Sequence, residues 1–173
     1  MITVKLSPEL FDKAMGLANH RYQISKASKF INQKQDILRS EMDIERIGTA
    51  GEFAVAELYN LDHPLPSGYD NGHDLWFYGK SLQVKTSFYE KCKLIFKDKQ
   101  KFISDFAILV YQNSQRKEEL SIVGATSKKY FIEFAKKENL GNGDVYTLEQ
   151  NQMAEPQEFW KYIMETRYNK ATQ

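Results

Sequence analysis

At 173 residues, 42% hydrophobic and 27% charged, the chain has the length and composition of one folded domain that can bury a core, and nothing in it reads as disorder at scale. Lys and Arg total 24 against 23 Asp and Glu, a net charge of +1, so the overall balance does not by itself point to nucleic acid. A lone cysteine, Cys92, excludes an internal disulfide or a cysteine metal cluster and fits a reducing compartment; with no signal-like N terminus and no apolar run of membrane-spanning length, a cytoplasmic protein with no membrane partner is expected.

In chain order, Ser7-Pro8-Glu9 opens a helix, with Ser as N-cap, Pro at the first helical position and Glu complementing the dipole; it is expected to run to about Asn19. Arg21 to Arg39 holds five basic residues against Asp36 and is helix-permissive but irregular. Residues 1–42 thus read as an N-terminal helical or arm segment, either a lid on the core or an arm lying on DNA or another partner. From about Asp43 to Tyr59, Ile44, Ile47, Ala50, Ala54 and Leu58 recur at helical spacing and predict an amphipathic helix packed on a sheet. Gly48 and Gly51, costly in a helix interior, suggest a close backbone approach there. Glu52 sits at the edge of the apolar stripe, where it is either a surface carboxylate or part of a site.

Asn60 to Gly72 reads as a loop rich in Pro and Gly, with His63 and His73 as candidates for substrate or water contacts. His73 to Thr86 then reads as a β-hairpin turning at Gly79-Lys80. That register sets Phe77 opposite Leu82, Trp76 opposite Gln83, Leu75 opposite Val84 and Asp74 opposite Lys85. Leu75, Phe77, Leu82 and Val84 form one apolar face; Asp74, Trp76, Gln83 and Lys85 share the other. The second face is either a solvated surface with an Asp74–Lys85 ion pair or a site that gathers a carboxylate, an amide and an ammonium.

Further strands are expected at Lys91–Phe96, Asp105–Tyr111 and Leu120–Ala125, the second an unbroken apolar run suited to a sheet centre. A helix opens at Thr126/Ser127 and closes near Gly141, a strand follows at Val145–Leu148, and Pro156 starts a last helix with Phe159, Trp160, Ile163 and Met164 on one stripe. This order predicts an α/β fold, a mixed central β-sheet flanked by helices, in a single domain spanning residues 1–173.

The Gly48-x-x-Gly51-Glu52 helix, Asp74 and Gln83-Val84-Lys85 together resemble the PD-(D/E)XK nuclease superfamily, whose core is a helix carrying Glu, then Asp, then (Glu/Gln)-x-Lys. The resemblance runs from about Gly48 to Gln112, making residues 43–112 the catalytic core of a restriction-endonuclease-like fold. It implies catalytic roles for Glu52, Asp74, Gln83 and Lys85, with Mg²⁺, or Mn²⁺ in its place, held by Asp74, Gln83, Glu52 and the Val84 carbonyl. Lys85 would orient the attacking water or stabilise charge on the phosphate. Gln83 departs from the commoner Glu and removes one negative charge from that set.

Seven lysines lie between Lys80 and Lys101 against Glu90 and Asp98. Beside a metal-type site, Lys80, Lys91, Lys93, Lys97, Lys99 and Lys101, with Arg21, Lys26 and Lys29, become candidate contacts to a DNA backbone; otherwise they are solvated faces. The expected activity is Mg²⁺-dependent DNA endonuclease cleavage of the restriction, homing or junction-resolving type, the alternative being a DNA-binding or assembly protein that keeps the fold without cleavage. One active site cuts one strand, so double-strand cleavage calls for a homodimer or higher homo-oligomer. Tyr69, Tyr78 and Tyr89 are candidates for that interface or for DNA contact.

Overall fold

The computed structural model describes residues 1–27, 39–65, 72–141 and 143–171; Lys29 and Tyr69 lie outside them, as does most of the proposed arm between Arg21 and Arg39. The elements are β1 (Ile2–Lys5), α1 (Pro8–Ala27), α2 (Glu41–Tyr59), β2 (Leu75–Phe77), β3 (Lys80–Ser87), β4 (Leu94–Phe96), β5 (Phe106–Gln112), β6 (Glu119–Ser127), α3 (Lys128–Phe134), β7 (Lys136–Asn139), β8 (Asp144–Leu148) and α4 (Pro156–Ala171), with 3₁₀ turns at Lys99–Lys101 and Gln150–Gln152. The expected mixed sheet flanked by helices is present. Five strands run in the order β1-β6-β5-β3-β2, and a second, three-stranded sheet runs β4-β8-β7. Within the larger sheet β3 and β5 are parallel and the other pairs antiparallel.

The apolar run of β5 lies mid-sheet because both its faces are covered. On one face, Phe106, Ile108 and Val110 join Leu82 and Val84 of β3 and Leu120 and Ile122 of β6 under Ala14 and Leu17 of α1, Ala50, Phe53 and Ala54 of α2, and Phe159 and Ile163 of α4. On the other, Ala107 packs with Leu94, Phe96, Phe102, Phe131 and Leu148, which belong to the small sheet, α3 and the turn ahead of β5. The order is therefore helices, large sheet, then a layer made of the small sheet and α3. No helix among the described residues is long and apolar enough to cross a membrane.

Several elements differ from expectation for identifiable reasons. Helix α1 continues past Asn19 to Ala27. Ile2–Lys5 is an edge strand whose half-buried and exposed residues alternate. Lys136–Asn139 is a strand where a helix was expected; it lies at the edge of the small sheet, where charged residues suit an open edge and leave no apolar alternation to read.

The hairpin turns at Tyr78-Gly79, not Gly79-Lys80. Both residues have positive φ, 47° and 77°, the condition of a tight turn matching strand twist. The pairs are therefore Leu75–Leu82, Trp76–Ser81 and Phe77–Lys80. A slide of two residues preserves side-chain parity, so Leu75, Phe77, Leu82 and Val84 still share a buried face. What changes are the cross-strand partners: continuing the register places Asp74 opposite Gln83, with Lys85 as its diagonal neighbour.

Of the two helical glycines, Gly51 alone makes a close approach. A Cβ there would lie 1.9 Å from Thr86 Oγ1 and 3.1 Å from Thr86 Cβ, whereas one on Gly48 would meet nothing within 4 Å. Gly48→Ala should therefore raise stability by about 0.5–1 kcal/mol through helix propensity. Gly51→Ala gains the same propensity but overpacks the contact, at a cost of about 1–3 kcal/mol. Thr86 Oγ1 is buried without a hydrogen bond, so Thr86→Ala should recover most of that loss. Denaturant melts of the three single variants and the Gly51→Ala/Thr86→Ala double variant check this, and equal effects at the two glycines would contradict it.

Candidate active site

β3 pairs with β5 over Leu82–Ser87 but with β2 only over Lys80–Leu82. Beyond that, the Asp74 N–H donates to the Leu82 carbonyl at 2.8 Å and the Val84 N–H donates to Asp74 Oδ2 at 2.6 Å. The carboxylate thus occupies the place where β2 would have supplied a carbonyl. A strand residue turns its N–H and C=O to the same edge, so the Val84 carbonyl lies on the edge that Asp74 occupies. Asp74 is consequently a structural acceptor as well as a candidate ligand, and its truncation to Ala should cost stability, contrary to a purely solvated side chain.

Gln83 and Lys85 project from the opposite face to Val84, toward the small sheet. Gln83 is 7% exposed, and its Oε1 accepts the Ile103 N–H at 3.2 Å. A main-chain N–H can be accepted only by the amide oxygen, which fixes the orientation of the side chain. Lys85 is half-buried, with Nζ 5.3 Å from the centroid of the Phe96 ring. The salt bridges among the described residues include none to Lys85.

Helix α2 brings Glu52 to this strand because its neighbour Gly51 sits directly on Thr86, the residue after Lys85. Glu52 is 7% exposed, and Arg21 of α1 binds it through Nη1 at 3.0 and 2.8 Å to its two oxygens. Arg21, expected on DNA, is thus committed to a buried carboxylate. Among the described residues no three His, Cys, Asp or Glu side chains gather as a metal-holding set. The Asp74 carboxylate and the Val84 carbonyl nevertheless fit Mg²⁺, a hard cation commonly bound by one or two carboxylates together with waters and substrate phosphate. Gln83 has one lone pair engaged by Ile103, and Glu52 is already charge-neutralised by Arg21.

The candidate basic residues separate into two groups. Lys93 lies 2.9 Å from both Glu138 and Glu149, whose hydrogen bonds raise its pKa. Lys99 donates to the Ile132 carbonyl and lies 5.1 Å from the Tyr146 ring centroid. Lys91, Lys97, Lys101 and Lys26 are exposed, the last 6.0 Å from the Tyr22 ring centroid, and Lys80 is half-buried at the hairpin.

A polar seam next to the site went unread in the sequence. His73 Nδ1 and Ser104 Oγ are hydrogen-bonded at 2.9 Å, and Asp105 accepts from the Ser81 N–H at 2.9 Å and the Ser81 hydroxyl at 3.1 Å. Burial opposes the Asp105 charge, but the Ser81 bonds, with Lys80 and His73 nearby, hold its pKa below the ordinary carboxylate value. Its members lie 24 and 31 residues apart, with no local spacing to betray them. His63 instead stacks on Phe53 at 4.9 Å and bonds Glu57 at 2.7 Å, well accounted for by packing.

The Arg21–Glu52 pair yields a stability test. Arg21→Met removes the two hydrogen bonds from Nη1 to a buried carboxylate and should cost about 3 kcal/mol, whereas Arg21→Met with Glu52→Leu should recover most of it, because two apolar groups replace two desolvated charges. Thermal melts of the single and double variants measure the difference; an unchanged melting temperature for Arg21→Met would contradict the pairing.

Against known proteins, no family model and no curated protein matches the chain.

Proposed function

We propose that this chain is a Mg²⁺-dependent DNA endonuclease with a restriction-endonuclease-like core. The observation that carries the reading is the stretch around Val84: a carboxylate and a main-chain carbonyl on one edge of β3, with an ammonium one residue further on that the described carboxylates leave unpaired. A structural ion pair between Asp74 and Lys85 was the ordinary explanation for the two charges; instead Asp74 Oδ2 accepts the Val84 N–H and the Lys85 ammonium lies by the Phe96 ring.

In this reading Asp74 and the Val84 carbonyl would hold Mg²⁺, which would supply positive charge beside the scissile phosphate and make a nearby water more acidic. Lys85, held over Phe96, donates hydrogen bonds to the attacking water or to the phosphate oxygens as charge builds there. The water loses a proton to solvent as its oxygen forms the new bond to phosphorus, the bond to the leaving sugar oxygen breaks, and that oxygen takes up a proton from solvent. Glu52 sets the local field through its balance with Arg21. Exposed Lys91, Lys97 and Lys101 supply phosphate contacts, and a homodimer would provide the second site for cutting both strands. A cytoplasmic location is part of this reading, supported by the single cysteine, which fits a reducing compartment.

A second reading, a DNA-binding or assembly protein without cleavage, is favoured by one feature: Arg21 on Glu52 and Ile103 on Gln83 occupy two of the four expected polar groups. Incubation of the protein with supercoiled plasmid and branched DNA in Mg²⁺, Mn²⁺ or EDTA separates the two. The endonuclease nicks or linearises DNA with either metal and not in EDTA. Asp74→Asn, which keeps an acceptor for the Val84 N–H, and Lys85→Ala should each lower the rate by at least about 100-fold, the scale of one transition-state group, while melting within a few degrees of the unaltered protein. A fully active Asp74→Asn protein would refute the site, and metal-independent binding without cleavage would favour the second reading.

A further inference from the structure

Three consecutive residues ahead of β5 are stitched to the candidate strand and its approach. The Ile103 N–H donates to Gln83 Oε1 at 3.2 Å, Ser104 Oγ meets His73 Nδ1 at 2.9 Å, and Asp105 exchanges bonds with Ser81, its own N–H donating to Ser81 Oγ at 3.0 Å. Immediately before them lies the turn Lys99–Lys101, whose start is capped by Asp98 Oδ1 accepting the Gln100 N–H at 2.9 Å. Phe102, fully buried, closes the turn and stacks on Phe96 at 4.8 Å with the rings 1° from parallel. Phe96 is also the ring over which the Lys85 ammonium sits.

Gln83 and Lys85, two residues apart on one face of β3, therefore engage the same segment, one through a hydrogen bond and the other through the ring that Phe102 supports. Lys97 and Lys101 stand exposed on its outer side. The geometry points to Gln83 as a positioning residue: by accepting the Ile103 N–H, its amide oxygen ties the residues that follow the turn Lys99–Lys101 to the strand that carries Lys85, so that a DNA phosphate held by Lys101 lies in register with the reacting centre. This rests on the endonuclease reading and departs from the resemblance, which gives the same oxygen to Mg²⁺.

Two measurements on the intact protein test it: binding of a short DNA duplex in EDTA across a salt series, and Mn²⁺ binding followed by paramagnetic resonance without DNA. Gln83→Leu removes the acceptor and Gln83→Asn keeps the amide but is one methylene too short to reach Ile103. Both should weaken duplex binding about tenfold, the worth of one charge-assisted phosphate contact, and flatten the salt slope by about one unit. Lys101→Ala should do the same, and Gln83→Leu/Lys101→Ala should be no worse than either single variant, because both remove one contact. Gln83→Glu, which keeps an acceptor for Ile103, should retain most of the affinity.

Mn²⁺ affinity should stay within about twofold for the Leu and Asn variants, since no metal ligand is lost. A tenfold loss of Mn²⁺ affinity with unchanged duplex binding in EDTA would overturn the proposal and make Gln83 a ligand. Additive losses in the double variant would overturn the link to Lys101. Should Gln83→Leu fail to fold, the Asn and Glu variants carry the same comparison. If the unaltered protein binds neither duplex nor Mn²⁺, the endonuclease reading itself falls and this proposal with it.

Discussion

The candidate site depends on the unequal pairing of β3 with its two neighbours. β5 follows it from Leu82 to Ser87, but the ladder to β2 stops at Leu82. The next main-chain donor facing that edge, the Val84 N–H, cannot be left unsatisfied in a buried strand, and Asp74 supplies the missing acceptor with its side chain. A truncated strand thereby places a carboxylate and a strand carbonyl on one edge. The same residues that complete the sheet are the ones proposed here to meet a hard cation and a phosphate.

The opposite faces of β3 then divide the work. Leu82, Val84 and Thr86 face α2, where the missing side chain of Gly51 lets helix and strand close up and brings Glu52 alongside. Gln83 and Lys85 face the small sheet and the turn ahead of β5, which fix one by a hydrogen bond and the other against an aromatic ring. Arg21 and Glu52 form a buried pair whose charges oppose each other. The ammonium nearest the strand is therefore that of Lys85, beside the Phe96 ring, rather than a cation of α1.

Fold class and the sidedness of the hairpin were legible in the sequence because both depend on parity and period. The turn was misplaced by one residue at each end, yet the two-residue slide left Leu75, Phe77, Leu82 and Val84 on their expected face, while every cross-strand partner changed. Gly51 was legible as a close approach, whereas Gly48 looked the same on paper and faces open space. The roles of the basic residues were not legible, since Lys93 is neutralised by carboxylates 45 and 56 positions away and Arg21 by one 31 positions away. Charge density along a chain does not record which charges fold onto each other. The Ile103 bond to Gln83 was equally hidden, because a main-chain N–H carries no sequence signature.

The central claim is that the edge of β3 at Val84 holds a divalent cation, and crystals soaked in Mn²⁺ examine it most directly. The account predicts an anomalous-scattering peak within bonding distance of both the Asp74 carboxylate and the Val84 carbonyl, with Lys85 unaltered over Phe96. A peak bound only elsewhere on the protein, with none at Asp74 under saturating Mn²⁺, would contradict it.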